Sequence, residues 1–139
     1  MRSVWLTLAF AATLGLPPMN PALAQTTQYE CKFAQVRRDK GWVPDVVFIV
    51  VDDTKATIEV YDPIIDHFVG KPIAATMTGD TKARKSFSWD VQFSVKGQGG
   101  RMSYSLTYYV NGRPAKISAV PGSYDNRFTD EGSCTVTTK

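Results

Sequence analysis

Alternation with a period of two dominates this chain. In Ser86 to Val95, Phe87, Trp89, Val91, Phe93 and Val95 alternate with Ser88, Asp90, Gln92 and Ser94. A strand throws successive side chains to opposite faces, so the pattern predicts one apolar face and one wet face. Arg101 to Val110 repeats it: Met102, Tyr104, Leu106, Tyr108 and Val110 share one side, and Ser103, Ser105 and Thr107 the other. Shorter runs read the same way around Tyr29, Cys31 and Phe33, around Ala56, Ile58 and Val60, and around Ile73, Ala75 and Met77. Two more lie around Ala115, Ile117 and Ala119 and around Cys134 and Val136. Val46 to Val51 is apolar on both faces: a strand covered on both sides, or an exposed sticky strip.

Turn signals separate the runs. Asp52 to Lys55 joins two of them, and Gly97 to Gly100 reads as a loop. Asn111-Gly112 predicts a two-residue type I′ hairpin, which needs positive φ at both central positions. Pro121-Gly122 precedes the last segment. The sum is an all-β chain with about eight short strands and no long helix. It predicts a small antiparallel up-and-down barrel, with a β-sandwich as the alternative.

The first residues change the setting. Arg2, the apolar run Val4 to Leu16 and the small-x-small triplet Ala22-Leu23-Ala24 have the layout of a secretory signal peptide. The run is too short for a membrane span, and Pro17 and Pro18 break it. The expected division is a signal peptide over 1–24, cleaved near Ala24, and one barrel domain over 25–139 that is periplasmic or extracellular, with no membrane span in the mature form. The formal net charge of +3 is too mild for a nucleic-acid binder, which carries a basic face or stripe.

An exported chain with two cysteines points to a disulfide, because its compartment oxidises thiols. Free thiols or a metal pair are the alternatives. Cys31 shares its face with Tyr29 and Phe33, and Cys134 shares its face with Val136, so both are expected to point inward. In a closed meander the first and last strands are antiparallel neighbours, and a Cys31–Cys134 bridge would seal the last seam.

Candidate chemistry is sparse. The single histidine lies in Tyr61 to Pro72, with Asp62 and Asp66 nearby. Asp62-Pro63 predicts a helix start, Asp as N-cap and Pro in the first helical position. One turn could gather Asp62, Asp66 and His67 as an acid–base or metal group; a polar connecting turn is the plainer reading. Ile64, Ile65, Phe68 and Val69 in the same segment either plug one end of the core or form a lid or contact patch. Tyr104 is expected inside the barrel, whereas Trp42, Tyr109 and Tyr124 fall at loops or on the polar face. Ile64, Ile65, His67, Phe68, Tyr104 and Tyr109 are therefore the candidate binding residues. Acidic residues crowd positions 45–66, and Lys71, Lys82, Arg84 and Lys85 follow; left unpaired, the acidic side favours a cationic partner. No Gly-x-Ser-x-Gly elbow, nucleotide loop or His-Glu-x-x-His motif is present, so no catalytic residue, metal or cofactor is assigned.

Tyr29-Glu30-Cys31 and Gly132-Ser133-Cys134, with the stretch Pro121 to Cys134, resemble small exported proteobacterial proteins. The layout is also similar to the periplasmic inhibitor family of C-type lysozyme, whose eight-stranded barrel opens on Tyr-x-Cys and closes on a cysteine-containing strand. The resemblance implies a barrel that binds a protein. The family's Ser-Gly-x-x-Tyr loop has its nearest match in Gly97 to Ser105; the serine is missing and Gly100 precedes Tyr104 by one residue too many, so the motif is not carried over. The expected function is binding through loops or the barrel mouth. The partner is a protein, as for a lysozyme inhibitor, or a small apolar ligand, as for a lipocalin-like carrier; enzymatic activity is the weakest reading.

Overall fold

The computed structural model describes residues 15–18, 25–34 and 41–139. Most of the expected signal peptide, 1–14 and 19–24, lies outside the described residues. Among the described residues nine antiparallel strands form one sheet: β1 (Thr26–Phe33), β2 (Val46–Asp52), β3 (Thr57–Tyr61), β4 (Ile73–Ala74), β5 (Thr76–Asp80), β6 (Arg84–Val95), β7 (Gln98–Tyr109), β8 (Ala115–Pro121) and β9 (Phe128–Thr138). A short helix, α1 (Pro63–Phe68), joins β3 to β4. The sheet runs β4-β3-β2-β1-β9-β8-β7-β6-β5, so its two edges are β4 and β5. Only Ala75 separates them, and its N–H bonds to the Ile58 carbonyl at 2.9 Å. They are one bent stave, the first part pairing with β3 and the second with β6. The expected eight-stave barrel is present, and the sandwich alternative falls away.

The first and last strands meet as the cysteines require. Cys31 lies directly opposite Cys134 in the β1–β9 ladder, and the two are disulfide-bonded. Tyr29 faces Val136 and Phe33 faces Gly132, so the two cysteine motifs are halves of one seam. Gly132 has a steric role there. A Cβ at this position would overlap the Lys32 carbonyl oxygen and crowd the Phe33 ring. The inward parity of Cys134 holds only in part, for Cys134 is half-buried and Val136 is 38% exposed.

The inner faces fill the barrel. Phe87, Trp89, Val91, Met102, Tyr104, Leu106 and Ile117 are buried from β6, β7 and β8, and Tyr29, Cys31, Val47, Ile49 and Val60 from the opposite wall. At the end where Thr26 and Lys139 exchange backbone hydrogen bonds, Tyr29 packs edge-on against Phe87 and Tyr108. An ion pair between Lys85 and Asp80 lies beside it. Val110 runs past the barrel and is exposed, as does Val95 at the opposite end.

Two turns differ from expectation. Asn111-Gly112 sits in a five-residue connection, 110–114, and only the glycine takes positive φ, +81°. The Asn111 side chain accepts the Arg113 N–H, and Pro114 has no N–H for a ladder, which together prevent the two-residue hairpin. The tight turn is instead at Lys96-Gly97, with φ of 51° and 77° between the paired Val95 and Gln98, the type I′ pattern. Gly99 and Gly100 consequently belong to β7 rather than to a loop.

Two outcomes check this seam. Non-reducing peptide mapping is expected to join the Cys31 and Cys134 peptides, and replacing both by serine to cost up to ~5 kcal/mol of unfolding free energy. Gly132→Ala is expected to cost ~3 kcal/mol by overpacking, read as a shifted denaturation midpoint. A wild-type midpoint for Gly132→Ala would contradict the close approach of β1 and β9.

Candidate functional site

The helix-bearing end of the barrel is built from α1, the Lys96-Gly97 turn and the 122–127 connection. Helix α1 begins at the Asp-Pro pair, as expected. The Asp62 side chain accepts hydrogen bonds from the N–H groups of Ile64 and Ile65, both at 2.8 Å. The helix closes at Gly70, φ +78°, where the N–H groups of Val69 and Gly70 bond to the Ile65 carbonyl. Ile65 is fully buried, and Ile64 and Phe68 are half-buried against the core. Ile64, Ile65 and Phe68 thus plug the barrel end, whereas Val69 is 37% exposed.

The acid–base grouping does not form. Asp62 is 1% exposed and points into the core, Asp66 accepts a hydrogen bond from the Tyr61 hydroxyl, and His67 is exposed against the Phe68 edge at 4.7 Å. Among the described residues no group of three His, Cys, Asp or Glu side chains is placed to hold a metal ion. Among them too, no helix is long and apolar enough to cross a membrane.

The other candidates separate. Tyr104 is buried in β7; its hydroxyl donates to the Trp42 carbonyl at 2.8 Å, and its ring stacks on Trp89 at 5.5 Å. Burial pushes the Tyr104 phenol well above its ordinary range, with a further push from Asp62. Tyr109 lies at the other end of β7, under the Arg113 guanidinium at 4.6 Å. Trp42 is half-buried in an aromatic cluster, 4.9 Å from Phe93 and 6.2 Å from Phe68. Tyr124 is the exposed aromatic of this end, at 71%.

What the pattern did not point to is the groove around Phe93. Three surface clefts of about 410, 420 and 510 Å³ share this residue. One side carries His67, Phe68 and Gln92; the other carries Gly99, Gly100, Arg101 and Gly122, with Lys96 and Tyr124 at the rim. Phe93 lies directly across Gly100, where a Cβ would come within 2.5 Å of the ring. Gly100 therefore lets the ring lie over bare backbone and form the groove floor. A larger hollow of about 730 Å³ lies on the wall over β8, bordered by Ser105, Thr107 and the Lys116–Glu131 pair. Its hydroxyls and charges largely satisfy one another, and it has no aromatic floor.

Among the described residues the groove's charged lining is basic, with Lys96 and Arg101 and no acid. At the N-cap of α1, one oxygen of the buried Asp62 carboxyl has no hydrogen-bond partner. Burial raises its carboxyl from 3.8 to about 6, against the two backbone hydrogen bonds, which lower it. Comparisons with protein-family models, with curated proteins and with solved structures return no match.

Asp62 gives a signed pH dependence. The folded protein holds this proton more tightly than the unfolded chain does. Its contribution is therefore most favourable below about pH 4, falls as the pH rises to about 6, and then levels off. The total is ~3 kcal/mol. Asp62→Asn retains an N-cap acceptor without the titration. Denaturant unfolding at pH 4 to 7 is expected to show the variant gaining on the wild type by roughly that amount as the pH rises. A constant difference across the range would count against the raised carboxyl.

Proposed function

We propose that this is an exported binding protein that engages a protein partner with the groove around Phe93. The observation that carries the reading is the convergence of three clefts on one aromatic floor at the plugged end. Aromatic floors with polar rims are the usual anatomy of protein-binding hot spots. Phe93 supplies apolar contact, the Gly99, Gly100 and Gly122 backbone allows close approach, and Arg101, Lys96 and Tyr124 supply the rim. Export is supported by the Cys31–Cys134 disulfide.

Lysozyme-inhibitor-like action is the specific form to test first, on the strength of the cysteine motifs. The Ser-Gly-x-x-Tyr-like stretch does not supply the contact, because Tyr104 is inside the barrel. The groove does. At micromolar protein, cell-wall lysis by a C-type lysozyme is expected to slow at least twofold, and Arg101→Glu with Tyr124→Ala to restore the rate. Unchanged lysis with the wild type would remove the inhibitor reading.

The carrier reading finds less support. Tyr104, Phe87, Trp89 and Met102 occupy the space a lipocalin-like ligand needs. Titration with a fluorescent fatty acid is expected to show no saturable binding; one-to-one saturation would reverse this preference.

A further inference from the structure

The outer surface of the barrel is divided into two unlike halves. Across β5 to β9 the register builds a row of small hydroxyls, Thr76, Ser88, Ser105, Ser118 and Thr129. Such a row is what a solvated wall requires. The outer face of β2 is different. Val47 and Ile49 point inward with no exposure, so Val46, Phe48 and Val50 face outward, and all three are half-buried. Helix α1, the only helix among the described residues, packs against β6.

The neighbours of this stripe carry charge of one dominant sign. Phe48 lies between Glu30 on β1 and Tyr61 on β3, and Val50 lies between Gln28 and Glu59. Asp66 holds the Tyr61 hydroxyl at the same edge. Among the described neighbours the one cation is Lys32, opposite Val46, and it pairs with Glu30 at 3.3 Å. An apolar stripe in this frame is poorly suited to a second copy of itself, because the same carboxylates would face each other across the contact. It is well suited to lysine and arginine flanking an apolar ridge.

We infer that the outer face of β1 to β3 is an interaction surface for a cationic amphipathic polypeptide, distinct from the groove around Phe93. Alternate residues of a strand are ~6.8 Å apart. Residues four apart on a helix rise by ~6 Å. A helix with apolar side chains on successive turns therefore runs along Val46, Phe48 and Val50 in near register, and its flanking cations reach Glu30, Glu59 and Asp66.

The test uses an amphipathic helical peptide of leucine and lysine and its leucine–glutamate counterpart, with binding read by fluorescence anisotropy and mapped by amide chemical shifts on the whole protein. The lysine peptide is expected to bind at least tenfold more tightly than the glutamate peptide, and to lose at least tenfold between 20 and 300 mM salt. Shifts are expected at Glu30, Phe48, Val50 and Glu59. Val50→Lys is expected to weaken binding at least tenfold at an unchanged melting temperature, since the side chain faces outward. Glu30→Lys with Glu59→Lys tests the charge term without touching the stripe. Arg101→Glu, in the Phe93 groove, is expected to leave this binding unaltered, which separates the surface from the proposed groove function. Equal binding of the two peptides, full affinity in Val50→Lys, shifts centred on the helix-bearing end, or a wild-type dimer formed through this wall would overturn the inference.

Discussion

The whole barrel depends on the ladder between its first and last strands. A sheet of this kind holds its shape only if the strip closes, because closure satisfies the backbone groups that an edge leaves open. Here one seam is closed by backbone hydrogen bonds between β1 and β9 and by a disulfide in the middle of that ladder. The opposite seam is closed by the chain itself, which bends at Ala75 from pairing with β3 to pairing with β6. The close approach at Gly132 belongs to the same constraint. Where β9 leaves β8 and takes up β1, the backbones come nearer than a side chain permits.

Closure around so many large side chains determines where function can lie. With Tyr104, Trp89 and Phe87 inside, the interior is committed to packing, which leaves the surface for the recognition proposed above. The plug follows from the same need. The barrel end would otherwise expose Trp42 and Phe93 further, and α1 covers it with Ile65 and Phe68 at the cost of burying Asp62. Buried polar atoms are costly unless bonded. The half-satisfied Asp62, and Trp89 Nε1 with no partner, are the places where packing overrides polar satisfaction.

Most of the fold is legible in the alternation of residues, because a half-buried strand must alternate. The β6 and β7 faces and the Asp62-Pro63 helix start follow from short-range rules, and the cysteine pairing from there being only two thiols and a first and last strand to join. Turn conformation was less legible. Lys96 takes a positive φ that Asn111 does not, and the difference lies in which flanking residues continue the ladder, with Pro114 unable to donate. The groove was legible only in part. Phe93 reads from the pattern as core and Gly100 as loop; that they oppose each other becomes visible only once the register is known. His67, Asp62 and Asp66 show the converse, since three neighbours in sequence take three different environments.

The register of the seam also orders events in time. The last strand ends at Thr138, and β1 has no second neighbour until that strand is available. One edge of β1 thus stays unpaired until β9 has been made. The contacts that close the barrel join residues as far apart in sequence as Cys31 and Cys134, 103 positions, the kind of pairing that forms slowly. The barrel therefore cannot close before β9 takes its place beside β1, and every stave made earlier waits with that seam open.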